Sequence, residues 1–401
     1  MTAETAAKPA QGAASRAAIV ALCFAVALLE GYDIQAIGVA APKLIPALGL
    51  TPSQAGVAFG GGMAGLMAGA FLGGWLVDRI GRRLVLTAAV AIFGLFTLAT
   101  MVAPDFWALI GARLATGLGL GMAMPTLVAI AIDISPPDRR AGAVAAMFCG
   151  MPVGGALSAV FAAFAFEHLD WRAIFIAGGV LPLVLLPFLM RLPETRPAAA
   201  AAPAAGAAAL FAEGRAATTL LLWAAFGLTL VVLYLLLNWL PTLVTARGLS
   251  ATAGAQAAMA FNVFGVVGTL AVGALVDRSG ARPAFALAYL GLLAALLALS
   301  AATGFVPILA CAALAGFCLM GAQFSLYGVA PMFYPPAVRG LGAGAAVGVG
   351  RFGSITGPMI AGELLGLGFG PGGVALAMAP VVLSAGAAAL GAAWRGKRFT
   401  D

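Results

Sequence analysis

Twelve long runs of apolar residues fill the chain, separated by short polar stretches or by proline and glycine. Each run is about 20 residues or longer, which is enough for an α-helix to cross a lipid bilayer. The predicted spans are residues 17–41, 53–77, 84–103, 106–131, 141–165, 171–190, 218–245, 252–276, 284–303, 306–332, 341–366 and 372–393. The pattern therefore predicts an all-α integral membrane protein with twelve transmembrane helices.

An alanine- and proline-rich tract divides the twelve runs into two groups of six. Such a tract carries no span-length apolar run, so we interpret it as a cytoplasmic linker at 192–217. The linker separates an N-terminal six-helix bundle at 17–191 from a C-terminal six-helix bundle at 218–394. Short cytoplasmic segments complete the chain, an arm at 1–16 and a tail at 395–401.

The basic residues predict how the chain is oriented in the membrane. If the N-terminus is cytoplasmic, 16 of the 21 Lys and Arg residues fall on the cytoplasmic side and three on the other side. The remaining two, Arg113 and Arg351, lie within spans. Because cytoplasmic loops carry an excess of Lys and Arg, both termini are predicted to be cytoplasmic. The basic residues occur one to three at a time, so the net charge of +7 does not indicate a nucleic-acid partner.

The composition fits the same class of protein. Hydrophobic residues make up 63% of the 401 positions and charged residues 9%, whereas soluble domains carry about 25% charged residues. The four cysteines all fall inside apolar runs, with no disulfide or zinc spacing. The sequence also shows no nucleotide-binding loop and no nucleophile–base arrangement. We therefore expect no enzyme activity, no catalytic residues, no metal site and no cofactor.

The two halves of the chain contain matching segments. Gly73–Arg83 reads G-G-W-L-V-D-R-I-G-R-R, and Val272–Arg282 reads V-G-A-L-V-D-R-S-G-A-R. Two charged pairs, Asp78 with Asp277 and Arg140 with Arg339, are each 199 residues apart. A parallel repeat of six plus six helices places a substrate site at the interface of the halves, near the membrane midplane.

Two carboxylates lie in the middle of the first span. Glu30 and Asp33 are three residues apart, so they share one face of a helix. A carboxylate buried in lipid is costly unless it is protonated, paired or hydrated. Arg113 in the fourth span lies at a similar depth, and an arginine favours the charged form that burial disfavours. We predict a proton-coupling site of Glu30, Asp33 and Arg113; the alternative is a permanent ion pair that only fixes the packing.

A second arginine lies near the middle of the eleventh span. No acidic residue is close to Arg351 in sequence, and Glu363 is about 18 Å further along the same helix. A planar guanidinium matches a carboxylate in a two-pronged fashion, so Arg351 is predicted to bind the carboxylate of a substrate. Polar and aromatic residues of the second half are weaker candidates for the same site, with interhelical hydrogen bonds as the alternative. They are Tyr234, Asn238, Trp239, Gln323 and Tyr327.

The segment at 74–83 carries the pattern G-x-L-x-D-R-x-G-R-R, and the chain resembles the major facilitator superfamily in this motif. Span four adds R-x-x-x-G-x-G-x-G. Within the superfamily, E-G-Y-D at 30–33 is similar to the D-G-x-D signature of the aromatic acid:proton symporters, with Glu in place of the first Asp. The surrounding run is most similar to the 3-(3-hydroxyphenyl)propionate transporters of that family. The resemblance implies the major facilitator fold, with two six-helix bundles.

The resemblance also implies a cytoplasmic gate, because in the superfamily the loop Asp meets a helix end and charges of the opposite half when the inside is closed. The alternative is that these charges only set the topology. The predicted gating residues are Asp78, Arg79, Arg82, Arg83, Asp133, Arg140, Asp277, Arg278 and Arg339.

Together these features predict a multi-pass transporter of the bacterial inner membrane. It is expected to be a proton-coupled secondary transporter that imports an aromatic carboxylic acid, hydroxyphenylpropionate-like or hydroxybenzoate-like, by alternating access. Its partners are the acid, protons and the lipid bilayer, and it is expected to act as a monomer. The alternatives are an efflux antiporter for organic anions or drugs, and a transporter-like sensor that binds its ligand without moving it.

Overall fold

The computed structural model describes residues 13–135, 144, 147–194 and 207–396. Within these ranges the regular structure is helical, as the apolar runs predict. The helices are α1 (Ala13–Ala47), α2 (Pro52–Ile80), α3 (Arg82–Met101), α4 (Phe106–Ile134), α5 (Gly150–His168), α6 (Arg172–Leu189), α7 (Ala216–Thr245), α8 (Ala251–Ser279), α9 (Ala281–Ala301), α10 (Phe305–Val329), α11 (Arg339–Gly366), α12 (Pro371–Ala377) and α13 (Ala379–Arg395). Of the predicted linker, 195–206 lies outside the described residues.

The internal repeat extends to the helix boundaries. Helices α2 and α8 begin at the N-caps Thr51 and Ser250, whose hydroxyls accept hydrogen bonds from backbone N–H groups of the first turn. They end at Gly81 and Gly280, whose φ angles of 91° and 87° favour glycine because a Cβ would be strained there. Both pairs are 199 residues apart, as are the first residues of α3 and α9 and of α4 and α10.

Close helix packing within each half explains the glycines of span four. A side chain on Gly117 of α4 would collide with the backbone carbonyl of Gly62 on α2. The equivalent Gly316 on α10 faces the carbonyl of Phe261 on α8 in the same way. Small residues let transmembrane helices approach until their backbones touch. The glycine pattern of this span therefore serves helix packing in both halves.

Two helices differ from the predicted spans. Helix α1 continues six residues beyond position 41, through Pro42, because the apolar sequence goes on and Leu44 is fully buried against neighbouring helices. Such neighbours support the backbone around a proline in a membrane helix. The last predicted span forms two helices, α12 and α13, which meet at Met378, and Pro380 occupies the first turn of α13. A proline is readily placed at a helix start, where its missing N–H leaves no bond unmade.

Eleven helical segments of the described part are long and apolar enough to cross a membrane. Helix α11 is 28 residues long, but it does not belong to this group. Its nine glycines, together with Arg351, lower its mean hydropathy. A helix of this composition lies against protein and a polar cavity rather than against lipid on all sides.

The two halves meet at one end of the molecule, where α1 ends and α2 begins; we call it the distal end. Here α2 contacts α11, since Gly56 lies against the backbone of Pro358 and Gly362. Helix α1 contacts α7 where Gly38 meets the backbone of Leu237. Helix α5 packs on α8. The distal end is thus closed by direct contact between backbones of opposite halves.

Candidate substrate and proton sites

Asp33 and Arg113 form a buried ion pair between α1 and α4. The Nη1 atom of Arg113 lies 3.4 Å from Oδ2 of Asp33, and both side chains are at most 1% exposed. The hydroxyl of Thr97 on α3 donates to the other carboxylate oxygen at 2.5 Å. Asp33 therefore has a partner for each oxygen. The sequence offered no signal for Thr97 beyond its being a polar residue in an apolar run.

Glu30, one turn earlier on α1, has a different environment. It is 1% exposed, and neither carboxylate oxygen has a hydrogen-bond partner in the described part of the chain. The cation whose charge acts on it is Arg351 of α11, from the opposite half. The structure thus brings Asp33 and Arg113 together as predicted, whereas it places Glu30 within electrostatic range of the second arginine.

A cavity of about 460 Å³ lies between the two halves. Its walls come from α4 and the chain at the start of α5 on one side, and from α7, α10 and α11 on the other. The lining residues are Met124, Phe148, Met151, Leu230, Leu233, Tyr234, Gln323, Phe324, Tyr327, Val347 and Arg351. A volume of this size, with apolar and aromatic walls and a few polar groups, is typical of a small-molecule site.

Four of the predicted substrate-binding residues line this cavity. The guanidinium of Arg351 donates from Nη1 to the hydroxyl of Tyr234 at 3.3 Å. The ring of Tyr327 packs edge-on against Phe226 at 5.2 Å. Gln323 is 1% exposed; its amide interacts with the Tyr327 hydroxyl but makes no hydrogen bond of good geometry. The cavity therefore combines flat apolar walls with polar groups that have unused hydrogen-bonding capacity.

The other two predicted residues lie outside the lining of this cavity. The indole N–H of Trp239 donates to the carbonyl of Pro358 on α11 at 2.9 Å, and its ring meets Phe59 of α2 edge-on at 5.3 Å. The amide of Asn238 donates to the carbonyl of Tyr234 at 2.7 Å. Trp239 thus belongs to the closed distal end, and Asn238 lies beside it on α7.

A reciprocal amide pair joins the halves between α1 and α8. Gln35 donates to Oδ1 of Asn262 at 2.8 Å, and Asn262 donates back to Oε1 of Gln35 at 2.6 Å. Both side chains are at most 5% exposed, and the pair lies against Gly155 of α5. Neither residue is among the sites predicted from the sequence, although Gln35 follows Asp33 by two positions.

The predicted gating residues of the first half gather at the end opposite the distal one. Arg82, at the start of α3, forms an ion pair with Asp133 near the end of α4. The backbone N–H of Arg83 donates to Glu194 at 3.2 Å, and the guanidinium of Arg79 lies 3.8 Å above the ring of Trp75. Arg140 lies outside the described residues, as does the side chain of Asp78.

The predicted gating residues of the second half lie at the end of α8 and the start of α11. Asp277 borders a cavity of about 210 Å³ between α8 and α10. Arg278 is exposed at the end of α8, and Arg339 is half-buried at the start of α11. Arg282 donates to the carbonyl of Ala393 on α13 at 3.2 Å, as its repeat partner Arg83 donates to that of Leu192 after α6 at 3.4 Å. In each half, the last arginine of the repeated motif thus donates to a backbone carbonyl at the C-terminal end of the last helix of that half.

Comparisons with known proteins agree with this geometry. Residues 23–358 match the family model described as the Major Facilitator Superfamily. The chain is 45% identical over 371 residues to the 3-(3-hydroxy-phenyl)propionate transporter of Escherichia coli, covering 92% of each chain. It is 36% identical over 389 residues to the 4-hydroxybenzoate transporter PcaK of Pseudomonas aeruginosa, covering 88% of this chain and 86% of the relative.

A solved structure shares the fold. A bacterial homologue of the human lysosomal transporter Spinster, in an inward-facing and occupied conformation, superposes with a TM-score of 0.79 at 18% identity, over 98% of this chain and 99% of that one. The resemblance to aromatic acid transporters of the superfamily is confirmed by these relatives. Because the family and the relatives are membrane transporters, the prediction that the chain is not an enzyme is confirmed as well.

Proposed function

The chain belongs to the Major Facilitator Superfamily, and on this basis we propose that it is a proton-coupled secondary transporter that imports an aromatic carboxylic acid by alternating access. The acid is hydroxyphenylpropionate-like or hydroxybenzoate-like, and the proton gradient replaces any cofactor. The protein works as a monomer in the inner membrane of a bacterium. The transported acids named for the two bacterial relatives support this substrate class.

The observation that carries the proposal is the position of Arg351 in the wall of the aromatic cavity. Within the described residues its guanidinium makes one hydrogen bond, to Tyr234, which leaves most of its five N–H donors to the cavity. A carboxylate accepts two of these donors in parallel, which is the strongest pairing a guanidinium makes. The rings of Phe148, Phe324 and Tyr327 offer apolar walls for the aromatic part of the same molecule.

Proton coupling is assigned to Glu30, Asp33 and Arg113. Asp33 and Arg113 form a buried ion pair without net charge between α1 and α4, and Glu30 adds a second buried carboxylate. Carboxylates at such depth change their proton occupancy when a cavity opens to water or when a neighbouring charge changes. The Asp33–Arg113 pair is also compatible with a purely structural role, so the proton assignment rests on the behaviour of variants.

Alternating access follows from the pseudo-symmetric halves. We propose twelve spans, with bundles at 17–191 and 218–394, a cytoplasmic arm at 1–16, linker at 192–217 and tail at 395–401, and with both termini in the cytoplasm. The helix boundaries repeated at an interval of 199 residues support two equivalent bundles. In this orientation the distal end is periplasmic. Its closure by Trp239 and by the α2–α11 contact then corresponds to a state that is shut on the outside.

Counterflow in proteoliposomes tests the proposal. Vesicles loaded with unlabelled 3-(3-hydroxyphenyl)propionate should draw in the labelled acid, and external hydroxycinnamates and hydroxybenzoates should compete in an order that identifies the substrate. The same vesicles should not accumulate an uncharged amide of equal size, although it can enter the cavity. A transporter of another class of compound would show no counterflow with any aromatic acid of the panel.

A further inference from the structure

Arg351 is a half-buried cation that has no permanent carboxylate partner within hydrogen-bonding distance in the described part of the chain. Its guanidinium lines the cavity, bonds only the neutral hydroxyl of Tyr234, and faces the ring hydroxyl of Tyr327. A cation at this depth needs a counter-charge, because a lone charge in a low-dielectric interior is costly.

Glu30 is placed to supply that charge. Asp33 has a partner for each oxygen, in Arg113 and Thr97, whereas both oxygens of Glu30 are buried without one. Its neighbour Gly31 packs against the backbone of Met151, a residue of the cavity wall. Glu30 is therefore next in sequence to a contact with the cavity wall, and the cation of the opposite half that acts on its charge is Arg351.

We infer that Glu30 is the displaceable counter-ion of Arg351, so that the substrate carboxylate and one proton bind to the cavity together. The inference rests on the proposed function and assigns the coupling step to one residue. In the empty cavity, ionised Glu30 and Arg351 compensate each other. When the substrate carboxylate binds Arg351, Glu30 loses its counter-charge and takes one proton from the aqueous phase, which restores neutrality.

Other charged and titratable groups in the neighbourhood are already accounted for. Asp33 on α1 is paired with Arg113 on α4. Tyr32 on α1 donates its hydroxyl to the carbonyl of Ile174 on α6. Around Arg351 stand the phenols of Tyr234 on α7 and Tyr327 on α10, and α5 contributes Met151, which carries no charge. Of these groups, Glu30 is the one whose charge is balanced by the arginine that the substrate engages.

The test is calorimetric binding of 3-(3-hydroxyphenyl)propionate to the purified full chain, in buffers of different ionisation enthalpy. Wild type should take up about one proton per acid bound. By linkage, its Kd for the acid should rise by about tenfold for each unit of increasing pH over the range in which Glu30 is ionised. Glu30→Gln should bind the acid with no proton uptake and with a Kd that changes less than about twofold over the same range. Glu30→Asp should restore the proton uptake.

A second arm needs no variant. The uncharged amide of the same acid cannot displace Glu30, so its binding to wild type should take up no proton. Equal proton uptake with acid and amide, or unchanged proton uptake in Glu30→Gln, overturns the inference and leaves the proposed function standing. Failure of every aromatic acid to bind wild type overturns both.

Discussion

Two stretches of α1 contain polar residues in the same apolar helix, and they differ in how well those residues are paired. Towards the distal end, Asp33 has Arg113 and Thr97, and Gln35 has Asn262. One turn towards the other end, Glu30 has no hydrogen-bond partner in the described part and faces the cavity side of Arg351. Buried polar groups that are hydrogen-bonded stabilise the fold, whereas a buried polar group without a partner points to another role, such as binding a ligand or a proton. The difference assigns the exchange of the proton to Glu30, with Asp33 and Arg113 as the paired part of the same site.

The largest effect is expected from Glu30→Gln, which removes the exchangeable carboxylate. Uphill uptake driven by a pH gradient should be abolished, because a glutamine cannot carry the proton, while some downhill exchange of acid persists. Uptake after a pH jump in proteoliposomes measures the uphill transport, and counterflow measures the downhill exchange. Full accumulation by this variant would remove Glu30 from the coupling mechanism.

Arg351→Lys should weaken acid binding next most strongly. Lysine keeps the charge but loses the planar fork, and a charged hydrogen bond contributes about 1.5–3 kcal/mol, or roughly 10–150-fold in Kd. The amide analogue should hardly sense the change. The matched control is Arg113→Lys, which should shift the pH dependence of transport and affect acid and amide alike. If Arg113→Lys loses the acid and Arg351→Lys does not, the two arginines have exchanged roles.

Gln35→Leu should loosen the distal closure. It leaves Oδ1 of Asn262 buried without its donor, whereas the amide nitrogen still donates to the carbonyl of Ala258. The unpaired oxygen costs about 1–3 kcal/mol in the closed state, and this shifts a two-state ratio by roughly 5–150-fold. A cysteine placed at Ile355, in a chain carrying Cys149→Ser, should become more reactive to an impermeant maleimide from the distal side. Replacing both Gln35 and Asn262 by leucine is the control, because an apolar pair leaves neither side-chain amide unpaired. Equal labelling of the single and double variants would contradict a role of the amide pair in closing the distal end.

Tyr234→Phe should give the smallest effect. It removes the 3.3 Å hydrogen bond to Arg351, and a neutral hydrogen bond contributes about 0.5–1.5 kcal/mol. The Kd for the acid should rise roughly 2–10-fold, with proton uptake per acid unchanged. A loss as large as that of Arg351→Lys would mean that Tyr234 itself holds the carboxylate.

The sequence allowed much of the architecture to be predicted, because apolar runs, capping residues and the repeated loop motif are local signals. Arg113, Arg351 and the two carboxylates stood out because charges inside spans are rare. Which carboxylate faces which arginine was not predictable, since depth along a helix says nothing about the face it presents to the opposite half. The hydrogen-bonded pair of Gln35 and Asn262 was not predicted for the same reason. Helix α11 also differs from an apolar span, since it carries nine glycines, of which Gly353, Gly357 and Gly362 meet the backbones of neighbouring helices.

The most direct test of the account is the direction of proton movement that accompanies transport. Proteoliposomes with a trapped pH indicator receive 3-(3-hydroxyphenyl)propionate from outside without an imposed gradient, with protein-free vesicles as the control for passive entry of the neutral acid. Entry of a proton with each acid should acidify the lumen faster than in the control, and Glu30→Gln should remove the difference. Alkalinisation of the lumen on addition of the acid would identify an antiporter and contradict proton-coupled import.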